Sequence, residues 1–96
     1  MTTRDDFVRR MHSLLDKGNA EIQALEARAE HAEAGARETY RQQIAALQAR
    51  QAEVRNRLDA LRSAGEGAWQ DLKSGVELAW EAMGQAIDSA RARLGK

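Results

Sequence analysis

The chain has 96 residues, enough for one domain whose core is modest, so that self-association is the natural supplement to its stability. Charged residues make up 31% of it, aromatics only 4%, and proline and cysteine are absent, a profile of long helices that excludes disulfides and thiolate chemistry. Fifteen Lys and Arg balance fifteen Asp and Glu, so the overall field offers nucleic acid no attraction and disfavours it as a partner.

The first predicted helix covers residues 4–33. Thr2 and Thr3 stand as N-cap candidates ahead of Asp5 and Asp6, acids that complement the positive end of a helix dipole. Apolar or small residues then recur once per turn at Phe7, Met11, Leu14, Gly18, Ile22 and Leu25, with Leu15 beside Leu14. From Glu26 to Thr39 alanine is the only apolar residue, and Gly35 sits inside that stretch as a candidate second turn.

A second helix is expected over 36–62, with the stripe continuing through Tyr40, Ile44, Leu47, Gln51, Val54, Leu58 and Leu61. If Gly35 is not a turn, the first two helices run on as one of about 60 residues and roughly 90 Å; if it is, the bundle is about 45 Å long. The strongest break is Ser63-Ala-Gly65-Glu-Gly67. Its glycines suit a left-handed C-cap, and Ser63 with Glu66 has the spacing of a capping box for the next helix.

The third helix, 66–94, carries Trp69, Leu72, Val76, Trp80, Met83, Ile87, Ala90 and Leu94. Over the whole chain the mean step of the stripe is about 3.6, the period of an α-helix. Leu14, Leu25, Ala36, Leu47, Leu58, Trp69 and Trp80 also fall at a regular interval of eleven. The fold class is therefore all-α: an antiparallel bundle of long amphipathic helices, or a coiled-coil hairpin, in a single domain.

Folding the chain back at residue 65 pairs Leu61 with Trp69, Leu58 with Leu72 and Val54 with Val76. A second fold near Gly35 sets Trp80 level with Gly18 and Gln51, large against small as tight packing requires. Segment 37–62 holds six arginines against three acids, and segment 66–88 five acids against one lysine, so these two helices are expected to attract each other.

Catalytic signals are missing. His12 and His31 stand alone, outside any metal-ligand spacing, and read as solvated surface residues. Glu26, Glu30 and Glu33, and likewise Arg50, Arg55 and Arg57, lie on adjacent turns and read as solvated faces rather than metal or phosphate sites. There is no phosphate loop, nucleophile elbow or serine–histidine–acid set. The expectation is a protein that is not an enzyme and uses no cofactor or metal. The longest uncharged run, Gln42 to Ala49, is far short of the about 20 apolar residues of a membrane span, and charges interleave the N-terminal apolar residues, so a cytoplasmic location is expected.

The stretch Ala68-Trp-Gln-Asp-Leu-Lys-Ser-Gly-Val-Glu-Leu-Ala-Trp80, preceded by an Ala-, Glu- and Arg-rich helix with Tyr40 and by Arg4-Asp-Asp-Phe-Val8, resembles a family of small bacterial coiled-coil stress-response proteins. That resemblance implies a soluble bacterial protein without assigned activity, cofactor or catalytic residues. The eleven-residue rhythm is loosely similar to that of apolipoprotein-type helices, from which the lack of proline departs. Two uses of the stripe follow: a self-associating structural or interaction protein with further copies or another protein as partner, or a reversible binder of lipid surfaces, against which the balanced charge counts.

Overall fold

The computed structural model describes residues 3–94. It contains three helices and no strand among those residues: α1 (Arg4–Glu30), α2 (Ala34–Ser63) and α3 (Ala68–Leu94). The arrangement is up-down-up. α2 packs closely along both neighbours, while the backbones of α1 and α3, which run parallel, stay apart along most of their length. The bundle measures 51 × 18 × 16 Å, close to the length of its longest helix, so the extended two-helix alternative is overturned.

Helix α1 starts where the sequence signals it. Thr3, extended at φ −82°, ψ 165°, accepts the Asp6 N–H on its Oγ1 at 3.1 Å, and Asp5 and Asp6 occupy the first turn. Thr2 lies outside the described residues. The helix stops at Glu30 rather than 33, its end tightened by His31 N–H to the Arg28 carbonyl at 3.1 Å and Ala32 N–H to the Ala29 carbonyl at 3.2 Å.

The turn into α2 is made at His31 to Glu33, not at Gly35. Glu33 is extended at φ −64°, ψ 155°, and its carbonyl accepts the first N–H groups of α2, from Ala36 and Arg37, at 2.9 and 3.0 Å. Gly35 falls in the first turn of α2, with no positive φ and open space where a side chain would be. A region with only alanine to bury holds neither helix in place against a neighbour, and ordinary residues suffice to reverse the chain there.

The second turn is where it was expected but is chemically different. Ser63 is the last residue of α2, Ala64 is extended, and the carbonyl of Gly65 receives the N–H groups of Ala68 and Trp69 at 3.1 and 3.2 Å. Neither Gly65 nor Gly67 has positive φ, so no left-handed cap forms and the Ser63–Glu66 capping box is not used. The Ala64 carbonyl instead accepts Arg4 Nη1 at 2.8 Å, fastening the start of α1 to this turn.

Among the residues of the stripe, Phe7, Met11, Ile22, Leu25, Leu47, Val54, Leu58, Leu61, Trp69, Val76, Met83, Ala90 and Leu94 are buried in one continuous core, together with Leu15 and Ala79. Tyr40, Ile44, Trp80 and Ile87 are half-buried against it. On α2 and α3 the buried residues follow heptad spacing, Leu47, Gln51, Val54, Leu58 and Leu61 on the one and Trp69, Val76, Met83 and Ala90 on the other, whereas Phe7, Met11, Leu15, Gly18, Ile22 and Leu25 of α1 keep the mean step of about 3.6.

The place of Leu72 differs from the expectation: it is 40% exposed near the start of α3 and does not layer against Leu58 in the core. Ala79, seven residues on at the same heptad position, is buried, whereas the stripe had selected its neighbour Trp80, which is half-buried beside α1.

Candidate functional site

The size contrast at Gly18 is real. A Cβ built there would lie 2.7 Å from Met83 Cε and 3.8 Å from Trp80 Cη2, so the methionine methyl, with the indole behind it, fills the space that the missing side chain leaves. Gln51, 5% exposed, sits on the other side of this layer and donates from Nε2 to the Leu15 carbonyl at 3.4 Å. The Leu15 carbonyl is already a helical acceptor, so the bond adds to a satisfied group rather than rescuing an orphan. Exchanging Gln51 for leucine should therefore change stability by no more than about 1 kcal/mol. Gln51→Glu should cost about 2 kcal/mol or more at pH 7, because it aims a buried carboxylate at a carbonyl. Burial favours the neutral acid in the folded state, so this loss should shrink as pH falls towards 4; urea titrations at both pH values would read it, and a loss that stays constant or grows on acidification would contradict it.

The cross-helix ion pairs do not run where charge counting put them. Three of the six arginines of α2 pair within their own helix, Arg41 with Glu38 at 3.3 Å, Arg57 with Glu53 at 2.7 Å and Arg62 with Asp59 at 3.7 Å. Among the described residues, the ion pairs between helices join α1 to α3: Arg10 to Glu77 at 4.0 Å, and Glu21 to Arg91. At the edge of the α2–α3 contact α3 sets Gly75, Ala79 and Ala82 beside Arg50, Glu53 and Arg57 of α2, and Gly75 lets Arg57 Nη1 approach to 3.2 Å of where a Cβ would be. Close backbones leave little room between them for two long charged side chains to meet.

The α1–α3 flank is thus the part of the bundle held least by backbone proximity. At one end Lys73 lies 5.6 Å from the Phe7 ring centroid, and at the other Arg28 Nη2 donates to the Leu94 carbonyl at 2.9 Å. Between them runs a shallow groove of about 280 Å³, with Leu14, Gly18, Trp80, Gly84 and Ile87 as its apolar and small walls and Lys17, Glu21, Asp88 and Arg91 at its rim. Gly84 has nothing within 4 Å of a notional Cβ, so unlike Gly18 it has no packing reason inside the chain.

Other candidates read from the sequence are not assembled. His12 and His31 are exposed, and His31 caps the end of α1. Glu33 is the N-cap of α2, which removes it from the helix carrying Glu26 and Glu30, and no group of three potential metal ligands occurs among the described residues. Arg50 and Arg57 line one groove of the surface and Arg55 another, so they do not converge on an anion. Tyr40 is covered by the Arg28 guanidinium at 5.9 Å from its ring centroid. No helix of the described residues is long and apolar enough to cross a membrane.

What the stripe could not indicate is the flank. Arg10, Glu77, Glu21 and Arg91 each stand one position to the side of the inward line, and only the assignment of helix neighbours brings them together. No family model, no curated protein and no solved structure matches this chain.

Proposed function

We propose that this chain is a non-enzymatic structural or interaction protein, a helical bundle that works by self-association, in the setting of bacterial stress that its resemblance to small coiled-coil stress-response proteins suggests. The observation that carries this reading is the overflow of the apolar stripe. After the core is filled, Leu14, Trp80 and Ile87 remain half-buried on the open flank between α1 and α3. A short chain gains stability by covering such a flank with another chain. Sedimentation equilibrium at tens of micromolar is the test: a reversible oligomer is expected, and a strictly monomeric species rejects the reading.

A second reading, reversible attachment to lipid surfaces, is favoured by Leu72 at 40% and Leu78 at 65% exposure, both on α3. These leucines would enter the interface with Trp80 if the helices parted at their turns. Anionic vesicles should then shift tryptophan emission to the blue, and unchanged emission excludes it.

A further inference from the structure

The groove between α1 and α3 is where a second copy of this chain docks, we infer, in a two-fold arrangement whose axis runs along the bundle and sets α1 of each copy against α3 of the other. The inference deepens the self-association reading and rests on it. Three observations select this face and this occupant.

The first is area. The elongated chain exposes 6313 Å². A compact protein of 10.7 kDa is expected to expose about 5500 Å². The excess, about 800 Å² over the whole chain, matches in size what each partner of a standard interface covers.

The second is Gly84. A glycine within a helix costs about 1 kcal/mol relative to alanine. Gly18 and Gly75 have close neighbours to explain them, whereas Gly84 faces open space on the wall of the groove. A close approach from outside the chain supplies the missing reason.

The third is charge. Arg10 pairs with Glu77 and Glu21 with Arg91, which fixes α1 and α3 as parallel and sets Lys17 in the same groove as Gly84 and Asp88. Lys17, Glu81 and Asp88 make no ion pair in the single chain among the described residues, and Glu81 and Asp88 stand one turn to either side of Gly84. A two-fold axis along the helices carries the partner's Lys17 across Gly84 and between these two carboxylates, and does so twice. The chain's zero net charge leaves no long-range repulsion between copies. The exposed Leu72 and Leu78 lie away from this face and have no such complement.

Sedimentation equilibrium of the full chain and four variants tests the proposal, with circular dichroism to confirm helicity. The wild-type chain should be a dimer at tens of micromolar. Gly84→Arg should be monomeric yet as helical as the wild type, since the added side chain enters open space in the protomer. Lys17→Glu should weaken association about ten-fold or more, by setting like charges together at two symmetric contacts, and combining it with Glu81→Lys should recover most of that loss. Leu78→Glu should leave the dimer unchanged.

A wild-type chain that is monomeric overturns both this interface and self-association, and monomers whose tryptophan emission shifts on anionic vesicles would assign the groove to lipid instead. An oligomer indifferent to Gly84→Arg and Lys17→Glu, or broken by Leu78→Glu, overturns the interface alone and leaves self-association standing.

Discussion

Replacing Phe7 with alanine should cost about 3–5 kcal/mol, the usual loss for a fully buried aromatic side chain. Phe7 is 0% exposed, although it lies in the first turn of α1. Its ring meets Trp69 at a centroid distance of 6.2 Å and 38°, and Arg10 and Lys73 stand 5.4 and 5.6 Å from its centroid. It therefore joins the start of α1 to the start of α3 at the end of the bundle where the α2–α3 turn lies. A small domain has only about 5–15 kcal/mol in total, so the loss should lower the urea midpoint drastically and flatten the near-ultraviolet signal of Trp69. The apolar contact should dominate the cations: Arg10→Gln, which leaves the ring in place, should cost less than about 1 kcal/mol because the guanidinium is 57% exposed to solvent. An alanine variant that melts with the wild-type midpoint would mean that the first turns of α1 are detached from the rest in solution.

How far the sequence foretells this architecture can be seen residue by residue. The three helices were legible because the stripe carries helical spacing through most of the chain, and both turns were legible as regions because glycine or an absence of large side chains interrupts it. The chemistry of the turns was not. Gly35, Gly65 and Gly67 all keep negative φ, and the reversal at residues 31–33 is made by histidine, alanine and glutamate. Glycine permits a left-handed cap without requiring one.

Leu72 and Ala79 show a second limit. A stripe drawn by taking the largest apolar residue of each turn prefers Trp80 to its buried neighbour Ala79, and it cannot tell that Leu72, at the same heptad position as Ala79, stays exposed near the start of α3. Charge counting failed for a related reason. Net charge describes whole helices, whereas the ion pairs depend on which flanks adjoin: α3 sets Gly75, Ala79 and Ala82 beside the arginines of α2 and turns Glu77 to Arg10 of α1. The groove with Gly84 was invisible at that level, because a helical glycine with a packing partner and one without read alike in a sequence.

Gly18 is the position where the distinction becomes measurable, and Gly18→Leu should destabilise the chain by about 3 kcal/mol. Helix propensity points the other way, since leucine gains nearly 1 kcal/mol over glycine in a helix interior, so the sign of the effect decides which influence governs the site. The Cβ alone would lie 2.7 Å from Met83 Cε and 3.6 Å from its Sδ, and Met83 is 0% exposed. Alanine should be tolerated within about 1 kcal/mol, because a methionine methyl can swing aside by one rotamer and the propensity gain offsets what remains.

Leucine adds three more carbons that this adjustment cannot house, but shortening Met83 can. Met83→Ala alone should cost about 2–5 kcal/mol as a cavity. Added to Gly18→Leu it should cost far less, giving a coupling of at least about 2 kcal/mol in a double-mutant cycle read by urea denaturation. Additive losses in that cycle would show that the two side chains do not share the space, and with it the register of α1 against α3 on which the groove depends would be wrong.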